Sequence, residues 1–371
     1  SERGFYISFD NGLRWQSFQL NLPVCPITDL KVQGNDLIAA TSGRSFWILD
    51  GLSPLRQIED NIIQRAHLFE PEPAIRYLAD LPDEPVYGLG ENPPNGMQIA
   101  YYLPEALDSF RLQLEVLDAF GNTLRTFTNE APETADSYEG GPKPEPTLPA
   151  CRGLNVFHWD LRREPMPGVP HVFILGDYKG SLVPPGQYRI RLTTPYGVLK
   201  SDAVLQADPR LKAPQEAYLA QQELLLSIES AVREVHQSIQ HMRNVKQQVK
   251  QLHANLKQID CTQEILDAGE HLINRITAWE DNLIQPKQET HQDVINYPNR
   301  LSAELMDLKA RIDHPKPVVT KGALLRLEHL LQQWAGMKKE MRKITGEDIS
   351  AFNELYKTYQ IPAIMLPLGS E

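Results

Sequence analysis

Residues 8–15 read Ser8-Phe9-Asp10-Asn11-Gly12-Leu13-Arg14-Trp15, and this stretch decides how the front of the chain is read. Ser8, Asp10, Gly12 and Trp15 are spaced as a hairpin turn requires. Asp10 has a short acceptor side chain that can bond backbone N–H groups two residues on, and Gly12 can take the positive φ of a reversal. Trp15 is expected to drop onto a core from the outgoing strand, with strands over 5–9 and 15–20. The role assigned to Asp10 is that of folding the turn, not of a catalytic acid.

Working outward, three apolar-rich segments follow at 27–32, 36–41 and 45–49, divided by Gln33-Gly34-Asn35 and Ser42-Gly43-Arg44. Both dividers have turn chemistry, which predicts a meander of short strands. About four strands in roughly fifty residues make one propeller blade. A single blade cannot bury both faces, so residues 1–60 are expected to close a propeller. The chain opens at Ser1 directly ahead of a strand, with no initiating Met and no signal peptide, and is expected to belong to a longer protein.

The set Ser8, Asp10, Gly12 and Trp15 resembles the Asp-box of bacterial-neuraminidase-type repeats. The segments Pro26–Leu30, Asp36–Thr41, Gly43–Asp50 and Pro54–Gln57 resemble the closing blade of large bacterial proteins with a sortilin-like propeller, often labelled glycosyl hydrolase. In those families the Asp-box turn lies on the propeller rim, away from the ligand-binding centre. The resemblance therefore implies a folding role for the motif. Arg44 is a candidate ligand contact because loop positions carry function, although an arginine after a turn Gly more often pairs with a local carboxylate.

Beyond the blade, 371 residues call for two or three domains. No run of 18 apolar residues exists, so no span is predicted. The net charge of −11 is uneven: residues 209–371 hold 20 Lys and Arg against 21 Asp and Glu, leaving −10 on residues 1–208. Neither part has the basic footprint that nucleic-acid binding needs. Cys25, Cys151 and Cys261 lie in separate segments without CxxC spacing, which argues against a disulfide framework or a zinc knuckle.

Residues 61–96 contain Glu70-Pro71-Glu72-Pro73, Pro82, Pro85 and Asn92-Pro93-Pro94-Asn95-Gly96, a proline density that predicts an extended linker. Strands are then expected at 97–103, 110–117, 123–127, 153–161, 183–192 and 197–205, with a long loop over 128–152. Gly153-x-Asn155-x-Phe157-x-Trp159-Asp160, paired with Pro184-Pro185-Gly186-x-Tyr188, resembles the immunoglobulin-like sandwich of flagellar hook-capping proteins and of the same bacterial propeller proteins. The sandwich is placed over 97–208.

From Pro214 the period changes. Ile228, Val232, Val235, Ile239, Met242, Val245, Val249, Leu252, Leu256 and Ile259 form one seam, predicting a helix of roughly 45 residues, about 68 Å long and protruding from the β domains. Further helices are predicted from caps at Asp260, Asn299 and Thr320, with a short last one over 347–359. Residues 209–371 are expected to form an up-and-down helical bundle.

The fold class is thus multidomain: the end of a β-propeller, an immunoglobulin-like β-sandwich and an antiparallel helical bundle. His158, Asp160 and His171 invite a metal, but a third ligand lacks motif support. His236, His241, His253, His271 and His329 form no His-Glu-x-x-His or Glu-x-x-His pair. Gln237, Gln240, Gln247, Gln248 and Gln251 make a solvated face. No catalytic residue, metal or cofactor is assigned. The resemblance implies a non-catalytic scaffold or interaction region of an exported bacterial protein, with a protein or glycan partner. The alternatives are part of a sialidase-like hydrolase with its carboxylates upstream, and a carbohydrate-binding sandwich using Tyr101, Tyr102 or Tyr138 as stacking platforms.

Overall fold

A computed structural model describes residues 1–2, 4–58, 64–77, 90, 92–107, 110–130, 138–256 and 263–360. The chain mixes β-sheets with helices and divides into two compact units. Unit 1 holds Ser1–Glu130, Thr147–Leu161 and Gly186–Ala207; unit 2 holds Ala131–Pro146, Arg162–Pro185 and Asp208–Glu371. Residues 138–146 and 162–185, assigned to the β region from sequence, therefore group with the helices.

In unit 1 the hairpin β1 (Tyr6–Ile7) and β2 (Gln16–Ser17) forms its own sheet. Strands β3 (Ile27–Gln33), β4 (Asp36–Thr41) and β5 (Phe46–Leu49) form a separate antiparallel meander. The expected single four-stranded sheet is thus two pieces. Phe5 and Phe18 of the hairpin face Leu37, Ala39, Trp47 and Leu49 of the meander across a shared apolar layer. Register puts Ile38 beside Ile48 and Ala40 beside Phe46 on the other face, where Phe46 is 75% and Ile48 59% exposed. The same register puts Asp29 beside Ala40 and Lys31 beside Ile38, so this second face mixes exposed apolar side chains with charged ones.

The proline-rich stretch is more than a linker. β6 (His67–Leu68) pairs with β8 (Met97–Leu103), and β7 (Ala74–Arg76) pairs in parallel with β13 (Gly197–Ala207). Pro82 and Pro85 lie outside the described residues. One sheet runs β11-β8-β6, with β11 at Gly153–Trp159. The other runs β10-β9-β12-β13-β7, where β9 is Gln113–Leu117, β10 Thr123–Thr128 and β12 Gly186–Thr194. Tyr188, Ile190 and Leu192 alternate inward as expected. Aromatic pairs join the two sheets, Phe127 to Phe157 at 4.7 Å and Trp159 to Tyr188 at 5.7 Å. Gly96, at φ +127°, enters β8 where a Cβ would sit 2.0 Å from the Trp159 carbonyl oxygen, so no side chain fits.

Unit 2 is built on one helix. After the short α1 (Ser53–Arg56) of unit 1, α2 spans Gln215–Leu256, 42 residues. It packs against α3 (Gln263–Glu280), α4 (Leu301–Ile312) and α5 (Lys321–Lys343). The seam Ile228, Val232, Val235, Ile239, Met242 and Val249 is buried, as its spacing required. Asp260 and Cys261 lie outside the described residues. The α4 N-cap is Arg300, not Asn299, whose Oδ1 instead accepts from Gln288. Thr320 does cap α5, accepting from the Ala323 N–H at 3.1 Å. A π-turn at Ile344–Asp348 leads into α6 (Ile349–Thr358).

Candidate functional site

The turn over residues 8–15 closes as a small hydrogen-bonded knot. Ser8 Oγ donates to Asp10 Oδ1 at 2.9 Å and accepts from the Gly12 N–H at 2.8 Å. Asp10 takes the Arg14 N–H at 2.8 Å and the Arg14 Nε–H at 2.9 Å, four residues on rather than two. Asn11 and Gly12 both have positive φ. The hydrogen bonds from Arg14 hold the Asp10 carboxyl down at about 2. It is therefore ionised at neutral pH and cannot serve as a proton donor. Trp15 is 65% exposed and folds back so that its indole donates to the Gly12 carbonyl, a correction to the inward placement. Arg44 is exposed, and among the described residues its guanidinium makes no hydrogen bond or ion pair.

A cleft of about 210 Å³ lies within unit 1. Its lining includes Asp36, Asp50, Glu70, Glu72, Gln98 and His158, and no Lys or Arg. Burial and the neighbouring Asp36 charge push the Asp50 carboxyl up, while burial pushes the His158 imidazole down. The arrangement can receive a cationic or hydrogen-bond-donating group. His158 and Asp160 belong to unit 1 and His171 to unit 2. No group of three His, Cys, Asp or Glu among the described residues could hold a metal ion.

The pair His236 and Ser302 in unit 2 was not foreseen. His236 Nδ1 lies 2.6 Å from the Pro167 carbonyl, which can only accept, so Nδ1 carries the proton. Nε2 then receives the Ser302 hydroxyl at 2.5 Å. This is the arrangement of a nucleophile and its base. Ser302 is 0% and His236 1% exposed, however, and burial holds the imidazole down at about 4. The pair pins α2 to α4 and is closed to substrate.

Of the tyrosines considered as platforms, Tyr101 is in the core with its hydroxyl on the Pro149 carbonyl at 2.5 Å. Tyr102 packs against the Phe69–Ala100 cluster, and Tyr138 donates to the Val169 carbonyl at 2.7 Å. Tyr102 and Tyr138 are half-buried. Gln237, Gln247, Gln248 and Gln251 are exposed, as expected, whereas Gln240 is half-buried. No helix among the described residues is long and apolar enough to cross a membrane. Comparison of the chain with protein-family models, curated proteins and solved structures gives no match.

Proposed function

We propose that this chain is a non-catalytic scaffold or interaction region of an exported bacterial Asp-box propeller protein. In this reading residues 1–60 close the propeller, the facing sheets form the immunoglobulin-like sandwich, and the helices form the bundle. The observation that carries the reading is the Asp-box turn, whose Ser8 and Asp10 are consumed by backbone donors and whose carboxyl is held ionised. The hairpin lying on an apolar face of the meander supports it too, since successive blades stack in this way and cover one another's faces. The exposed Phe46 and Ile48 then mark a face that a further blade covers.

Two measurements test the reading. The purified chain is expected to leave sialosides and aryl glycosides intact; turnover that survives further purification overturns the non-catalytic role. Fractionation of cells making the full-length gene product is expected to place it outside the cytoplasm, and cytoplasmic retention overturns the assignment as exported. The alternative, a sialidase-like hydrolase, puts its carboxylates on other blades and is favoured if the full-length protein cleaves sialosides while this chain does not.

A further inference from the structure

A row of side chains along α2 reads a stretch of backbone. Arg233 donates from Nη1 to the Pro165 carbonyl at 2.8 Å and from Nη2 to the Glu164 carbonyl at 2.7 Å. His236 Nδ1 meets the Pro167 carbonyl at 2.6 Å, and Arg243 Nη1 donates to the Pro170 carbonyl at 2.9 Å. Tyr138 takes the Val169 carbonyl at 2.7 Å. Five of the seven carbonyls from Glu164 to Pro170 are thus bound by side chains.

The segment has the pattern Pro165-x-Pro167-x-x-Pro170. Proline fixes φ and offers no N–H, so a donor-rich surface meets acceptors alone at these positions. Met166 and Val169 are buried while Pro167 and Pro170 are exposed, a spacing of three that suits polyproline II and not the two of a strand. The rises match as well. Five residues of polyproline II at about 3.1 Å each span about 15 Å, and ten residues of α-helix at about 1.5 Å span the same from Arg233 to Arg243. Carbonyl numbers climb as the α2 numbers climb, so the segment runs parallel to the helix and in step with it.

We propose that Arg233, His236 and Arg243 of α2, with Tyr138, form a polyproline-recognition surface whose ligand in this chain is its own Pro165–Pro170 segment. The ligand class is an extended Pro-x-Pro-x-x-Pro stretch with unbranched or small apolar side chains at the second and fifth positions, which enter the core where Met166 and Val169 now sit. Every contact lies within unit 2, so the proposal stands apart from the Asp-box reading of residues 1–60.

Two experiments on the full chain test it. In the first, Arg233→Ala is expected to raise tryptic cleavage at Arg163 and Lys179 at least ten-fold with an unchanged helical circular dichroism signal. Arg275→Ala, which loses only Glu340 and Asp348, is expected to leave that rate unchanged. Cleavage of the Arg233 variant at the wild-type rate overturns the proposal. In the second, a Met166→Asp, Val169→Asp variant cannot seat its own segment. It is expected to bind a labelled peptide of the sequence 162–175, measured by fluorescence anisotropy, whereas the wild-type chain does not. Binding at least ten-fold weaker for the peptide with all three prolines changed to Ala supports the proposal; equal binding of the two peptides, or none by a folded variant, overturns it. Should the double variant lose its helical signal, the cleavage experiment decides.

Discussion

His236 shows how much one side chain can carry. It sits in the α2 seam among Val232, Val235 and Ile239, yet both ring nitrogens are bonded, so a polar group is buried without loss. Burial holds it neutral down to about pH 4, against 6.5 for an exposed imidazole. The unfolded chain therefore takes up the proton first. The stability His236 contributes is complete above pH 6.5 and falls as pH drops towards 4, by about 3 kcal/mol in all. Urea unfolding at pH 7.5 and 4.5 is expected to show that loss in the wild type and a smaller one in His236→Asn; equal losses refute it. Gly96 is the second such residue. With φ at +127° and Trp159 O in the way, Gly96→Ala is expected to destabilise unit 1 by on the order of 3 kcal/mol, seen in near-ultraviolet circular dichroism on heating.

At the scale of elements, α4 is tied by a buried charge cluster. Asp313 accepts from Lys309 at 3.1 Å, Arg162 at 2.6 Å and the Leu182 N–H at 3.0 Å. Burial alone would raise its carboxyl, but Lys309 and Arg162 outweigh that and hold it low. Asp313→Ala leaves Lys309 and Arg162 without their shared anion, so a loss of about 3–5 kcal/mol is expected in urea unfolding followed by helical signal. Glu280 of α3 performs the same office for α2, binding Arg243 at 2.5 Å and Lys246 at 2.7 Å. Thr320 gives a milder test. Thr320→Ala removes only the cap bond to Ala323, and a loss of about 1 kcal/mol is expected, shifting the urea midpoint without changing the slope.

For the whole molecule, the division into two units matters more than the number of elements. Unit 2 takes core residues from the insertion over 162–185, between β11 and β12: Met166, Val169, Val172, Ile174 and Tyr178 all lie in its apolar cluster. Residues 209–371 are therefore not a complete domain. Unit 1 in turn presents Phe46 and Ile48 of its meander to solvent. Phe46→Glu with Ile48→Lys is expected to leave the melting temperature within about 2 °C, since exposed substitutions cost little, and to reduce self-association in sedimentation. Unchanged association would show that this face is not the sticky one.

By itself the sequence determined the elements whose information is local. The spacing of Ser8, Asp10 and Gly12 fixed a turn, alternation at Tyr188, Ile190 and Leu192 fixed a strand, and the α2 seam fixed a helix to within a few residues. These follow from periods of two and 3.6 and from the φ preferences of a few residues. From sequence His236 was only one of five histidines without a metal-ligand spacing, and its partners were not legible. Ser302 and Pro167 lie 66 and 69 residues away along the chain, and no local pattern encodes such a meeting. The tertiary structure alone decided that Trp15 folds over its own turn, that Asp36, Asp50 and His158 share a cleft, and that a proline-rich loop is held by α2. In each case the reason is the same: satisfying a buried donor or acceptor depends on which distant groups packing brings within about 3 Å.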